Sequence, residues 1–160
     1  MPGDIKIGIF ADVQNIYYTT REAFSRQFNY RAFWEFATAQ TDIEFATAYA
    51  IEPKDAKQKG FQQILQDIGF NIRSKPYIRR KDGSAKADWD VGIALDMIDI
   101  APRLDRMVLV SGDGDFDLAI ERVNERWDCQ TIVCGVRKLT SQSLIDVADQ
   151  FVEIDESLLM

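Results

Sequence analysis

The chain has 160 residues, 46% hydrophobic and 28% charged, which suits one globular domain with a single sizeable core. It has no histidine, two cysteines and a net charge of −7, so imidazole-based triads, His-ligated zinc and a disulfide scaffold are excluded. No apolar run approaches the roughly 20 residues that cross a bilayer, and no small-residue cleavage pattern follows the first strand, so no membrane contact and a cytoplasmic location are the expectation.

In chain order, Ile5–Ala11 is β-rich and apolar and reads as a buried strand. Helices are predicted from Asn15 to Phe28 and over Tyr30–Gln40; Phe33, Trp34 and Phe36 in the second read as core rather than as a base-stacking platform. Ile43–Ile51 is a strand, Pro53 opens a helix that ends near Gly69, and Phe70–Ile78 is a strand entering a basic stretch. Lys81–Ala87 reads as a loop. Asp88 caps a helix to Ile100 whose core-facing stripe is Val91, Leu95 and Ile98 with Ala94, leaving Asp96 and Asp99 on the solvated side. Pro102 stops it. A strand (Arg106–Ser111), a helix (Asp115–Trp127), a strand (Gln130–Cys134), a helix (Ser141–Asp149) and a short strand (Phe151–Ile154) complete the chain.

Strands alternate with helices throughout, and runs such as MVLV suit a sheet covered on both sides. The expected fold is therefore one α/β domain over residues 1–160, a mainly parallel central sheet flanked by helices on both faces. Cys129 and Cys134 are five apart, an odd spacing that puts them on opposite faces of a strand and prevents pairing.

Charge is uneven. Residues 73–86 hold six bases and one acid, a net +5, so the remainder carries −12. The acids gather where strands end, which is where open α/β sheets bind ligands. Asp12 follows the first strand, with Asn15 three residues on; Asp113, Asp115 and Asp117 follow MVLVS; Asp88 and Asp90 start a helix. Asp12 alone is best read as a helix cap. Three acids in five residues exceed what capping needs and would repel one another without a cation. An Asp/Asn set with no His or Cys favours Mg²⁺ or Mn²⁺ over zinc, and the commonest hydrolytic use of these ions is phosphoryl chemistry. An EF-hand is a poor fit, since Leu118 stands where that loop needs Gly and Asn124 where it needs Glu. Asp12 has no second Asp two residues on, against an aspartate phosphatase, and ADVQN offers no glycine-rich turn for a dinucleotide.

Four segments in order, FADVQN, KADWDV running into GIALDM, SGDGDF and Ser141-x-x-Leu144-x-x-x-Ala148-Asp149-x-Phe151, resemble the NYN domain family, the LabA-like branch of the PIN-like nucleases. The resemblance spans nearly the whole chain. It implies a compact parallel-sheet fold and metal-dependent hydrolysis of RNA phosphodiester bonds, usually as an endonuclease, with Mg²⁺ or Mn²⁺ as cofactor. By motif, Asp12, Asp90, Asp113 and Asp117 would organise the metal. Asn15 would orient a ligand or water, Asp115 would ligate directly or through water, and Ser111 would help to shape the pocket.

RNA is then the expected partner, and a homodimer is compatible with the sequence. The basic stretch complements an acidic pocket: Arg79, Arg80, Lys81 and Lys86 could hold phosphates, with Arg73 and Lys75 nearby, while Tyr77 could stack on an unpaired base. The competing reading of that stretch is a solvated edge strand guarded by charge and Pro76. Arg137 and Lys138 are a second candidate phosphate contact. The alternative function is a catalytically silent RNA-binding or regulatory module on the same fold.

Overall fold

The computed structural model describes residues 4–76 and 89–160, together with the backbone of 78–79 and 85–86. Its strands are β1 (Ile5–Asp12), β2 (Thr41–Ile51), β3 (Asn71–Lys75), β4 (Ile78–Arg79), β5 (Ala85–Lys86), β6 (Arg106–Val110), β7 (Gln130–Gly135) and β8 (Gln150–Glu153). Six of them form one sheet in the order β3-β2-β1-β6-β7-β8, with every neighbouring pair parallel. β4 and β5 form a separate antiparallel ribbon.

Helices cover both faces, as the buried strands require. α1 (Val13–Phe24), α2 (Tyr30–Thr38) and α3 (Ala56–Ile68) supply Ile16, Phe33 and Leu65 to one core, which they share with Ile7, Ile9, Val108 and Val110. α4 (Asp90–Ile100), α5 (Asp117–Arg126) and α6 (Gln142–Val147) supply Ile93, Met97, Ile120 and Leu144 to the other, with Phe10, Met107 and Leu109. Along β1 and β6 successive side chains alternate between the two cores, the period-2 geometry of a strand buried on both sides. Cys134 lies in the first core and Cys129 in the second, and both are free thiols. No described helix is long and apolar enough to cross a membrane.

Several sequence expectations are corrected. α1 stops at Phe24 rather than Phe28, because Ser25 turns left-handed (φ 54°) and Asn29 already caps α2 by accepting from the Ala32 amide. Phe28 instead bridges to Leu159. The strand expected over 70–78 is broken between β3 and β4, and within the expected loop Ala85–Lys86 pairs with Ile78–Arg79. On α4 the buried stripe is Ile93 and Met97, whereas Val91 and Leu95 are 72% and 60% exposed. That helix is apolar nearly all round, so its own pattern does not fix which face turns inward. Asp96 is half-buried rather than free on the solvated side: it accepts from Tyr49 Oη at 2.7 Å and from Arg73 Nη1 at 2.6 Å, partners delivered by β2 and β3. Phe33 is core and Trp34 packs on Phe70, but Phe36 is exposed. Trp89, not a capping Asp, precedes α4, and Asp88 lies outside the described residues.

Candidate metal centre

β1 lies between β2 and β6, so the chain leaves β1 towards one edge of the sheet and later returns to its other side. The carboxyl ends of β1 and β6 adjoin there, with Ala11 paired to Val110. This is the topological switch point of an open α/β sheet, where the following helices diverge to opposite faces and leave a crevice.

Asp12 ends β1 and is 6% exposed. Its Oδ1 accepts from the Asn15 amide at 3.4 Å, capping α1 as the sequence suggested. Its Oδ2 accepts from Ser111 Oγ at 3.0 Å. Ser111 Oγ in turn accepts from the Asp113 amide at 3.2 Å. Asn15 Oδ1 accepts from the Gly112 amide at 2.9 Å. The loop after β6 is thus held at consecutive residues by side chains from the end of β1 and the start of α1.

Asp113 Oδ1 accepts from the Asp115 amide at 2.9 Å and starts the 3₁₀ turn that leads into α5. Asp113 and Asp115 meet Asp90, the first residue of α4, and the three carboxylates can each place an oxygen within 4.8 Å of the others. Asp90 and Asp113 are half-buried, and Asp115 is exposed. Asp12 and Asp117 stand outside this trio, Asp117 half-buried at the first position of α5. Among the described residues the ion pairs Arg26–Glu156, Arg73–Asp96 and Arg137–Glu153 leave Asp113 and Asp115 without a cationic partner.

The donor set fits a hard divalent cation. All three donors are carboxylate oxygens, and ligands of an octahedral ion at about 2.1 Å lie about 3 to 4 Å apart, within small adjustments of this spacing.

Trp89 fixes the residue before Asp90. Its Nε1 donates to the Ala50 carbonyl at 2.7 Å, across to the end of β2. The Arg73 guanidinium and the Lys75 ammonium lie 5.1 and 4.8 Å from the centre of its ring. Nothing in the spacing of the sequence marked Trp89 for this role, because Ala50, Arg73 and Lys75 are remote in the chain. Burial, followed by the Asp12 charge, holds the Tyr30 phenol protonated far above its ordinary range; burial and then the Asp96 contact do the same for Tyr49.

Close packing leaves no room for a side chain at the glycines that flank Asp113. A Cβ on Gly112 would stand 2.9 Å from both the Leu139 carbonyl oxygen and Thr140 Oγ1, and one on Gly114 would stand 2.6 Å from Ser141 Oγ. The loops after β6 and β7 are therefore seated directly on each other.

The basic candidates divide. Arg79 and Lys86 fall on the β4–β5 ribbon, but their side chains, like all of Tyr77, Arg80 and Lys81, lie outside the described residues. Arg137 and Lys138 are exposed on a 3₁₀ turn after β7 that packs against α1. Arg137 also pairs with Glu153 at 3.5 Å and lies 5.0 Å from the Phe151 ring centre.

The sequence profile of the NYN domain matches residues 6–155. The chain is similar to the low amplitude and bright protein LabA of Synechococcus elongatus, at 27% identity over 161 residues that cover 94% of this chain and 84% of LabA. It is also similar to a crystal structure of a protein of unknown function from Vibrio parahaemolyticus, with a TM-score of 0.95 and 53% identity over 100% of this chain and 99% of that one.

Proposed function

The chain belongs to the NYN domain family, and on that premise we propose that it is a Mg²⁺- or Mn²⁺-dependent ribonuclease that cuts RNA internally. The observation that carries this reading is the meeting of Asp90, Asp113 and Asp115 at the switch point, three carboxylates from two separate segments, with no cationic side chain among the described residues paired to Asp113 or Asp115.

Asp90, Asp113 and Asp115 would hold the cation, with Asp12 and Asp117 completing the acidic set. When bound, the ion supplies positive charge for the phosphate oxygens and acidifies a water. The rest is work for the chain. Asp12 acts through Ser111 to fix the Asp113 amide, and Asn15 fixes Gly112, so two consecutive residues of the acidic loop are held before substrate arrives. Trp89 holds the start of α4 and with it Asp90. With no histidine in the chain, a carboxylate of this set would take the proton from the attacking water. Lys138 and Arg137, beside α1, would draw phosphates towards a crevice that otherwise repels them.

The test is to incubate the protein and Asp113→Asn with labelled single-stranded RNA in Mn²⁺, Mg²⁺ or EDTA. Cleavage by the parent alone, lost in EDTA, supports the reading. RNA retained without cleavage in any metal replaces it with a non-catalytic RNA-binding module.

A further inference from the structure

The outer face of α1 carries an aromatic surface that the metal centre does not use. Tyr17 and Tyr18 are 46% and 59% exposed, although consecutive large aromatics on a surface helix ordinarily turn at least one ring inward. Their rings meet edge to face at 5.4 Å. Arg21, one turn on, donates to Tyr17 Oη and places its guanidinium 5.7 Å from that ring centre. Together with Glu22 these side chains line a shallow depression.

We propose that Tyr17, Tyr18 and Arg21 form a stacking site for unpaired bases of the RNA strand that enters the acidic crevice. The inference rests on the ribonuclease reading and names which part of the substrate the protein grips outside the reacting phosphate. Three observations carry it. Tyr18 shares a helix face with Asn15, three residues and about 4.5 Å of helix rise away, and Asn15 holds the loop next to Asp113. Helical side chains lean towards the helix N-terminus, here the end at the crevice. Arg21 on the patch, and the exposed Lys138 on the turn that packs against α1, supply cations for a phosphate backbone near this helix of a protein of net charge −7, while Glu22 borders the patch and Arg137 is engaged with Glu153. Tyrosine and arginine planes stack on any base, so the site grips single strands without reading sequence. A duplex keeps its bases stacked inside and offers the rings nothing to hold.

The test measures equilibrium binding in EDTA, where cleavage does not intervene. The probes are short fluorescent oligoadenylate and an abasic oligomer of equal length. The proteins are the parent, the Tyr17→Ala/Tyr18→Ala variant and the Tyr17→Phe/Tyr18→Phe variant. Oligoadenylate affinity should fall about tenfold for each ring removed and survive in the Phe variant. The abasic oligomer should bind all three proteins alike. Equal oligoadenylate binding by the parent and the Ala variant would overturn the site while leaving the ribonuclease reading intact. Tyrosine-dependent binding in a protein that cuts no RNA in any metal would keep the site and remove the hydrolase. A parent that retains neither oligomer would overturn the site, and so would a change of oligomeric state in the Ala variant with unchanged RNA affinity, which would assign the surface to a protein contact.

Discussion

The hydroxyl of Ser111 donates to Asp12 Oδ2 across 3.0 Å, and this contact ties the end of β1 to the loop that carries two of the three clustered acids. Ser111 is fully buried and also accepts from the Asp113 amide. Ser111→Ala strips both groups of this partner and should cost about 1–3 kcal/mol. It should also weaken Mn²⁺ binding by loosening Asp113. Ser111→Thr keeps the hydroxyl and should lose less on both counts. Urea unfolding and a Mn²⁺ titration read the two effects; an unchanged metal affinity in the Ala variant would refute the positioning role.

Asp115 is the exposed member of the trio, so its replacement disturbs little packing. In EDTA, Asp115→Asn relieves like-charge repulsion and should melt no lower than the parent. With Mn²⁺ added, the parent's melting temperature should rise and the variant's should rise less. A tenfold loss of affinity at saturating metal removes about 1.4 kcal/mol of ligand stabilisation. Equal rises in the two proteins would exclude Asp115 as a ligand.

Trp89→Phe keeps a ring beneath Arg73 and Lys75 but deletes the donor to Ala50. The fold should lose about 1 kcal/mol. Metal affinity should fall about tenfold or more, the usual effect of removing a group that orients a ligand. The informative quantity is the ratio of the two losses, taken from denaturation and calorimetry on the same sample.

Burial pushes the Cys129 thiol up to about 11 and the Cys134 thiol up to about 12, with nearby aspartates adding to both shifts. In an unfolded chain a thiol titrates near about 8.5. Below that pH both states keep the proton and the contribution to stability is complete. Above it the unfolded chain releases protons that the folded chain retains, so stability falls as pH rises towards the folded values. Cys134→Val should flatten this decline by up to about 1.4 kcal/mol per pH unit, read from unfolding curves collected above about pH 8.5.

The parallel sheet was legible because strands alternate with helices and runs such as MVLV and TIVC are apolar without alternation, as suits a strand covered on both faces. The rim of acids was legible because Asp12 directly follows the first strand's run and Asp113 stands three residues after MVLV. The exposed side of α4 was not: Val91, Ile93, Leu95 and Met97 are equally apolar, and only the position of the sheet chooses Ile93 and Met97. Asp96 looked solvated because its partners, Tyr49 and Arg73, come from two other strands. The sequence reading placed Asp117, just after SGDGDF, ahead of Asp115 within it as a metal organiser. The 3₁₀ turn at Gly114–Phe116 brings Asp115 together with Asp90 and Asp113 and leaves Asp117 outside that trio.

Gly112 and Gly135 both face Thr140 Oγ1, at 2.9 and 2.6 Å from where a Cβ would stand, and Thr140 itself donates to the Val136 carbonyl at 2.7 Å. The two loops that edge the crevice share this one hydroxyl. Grafting the acidic loop into another scaffold would therefore fail unless the Gly135–Ser141 segment travelled with it. Redesign of the crevice within this chain has its freedom at the outer rim, around Asp115 and Tyr18, and almost none on the floor.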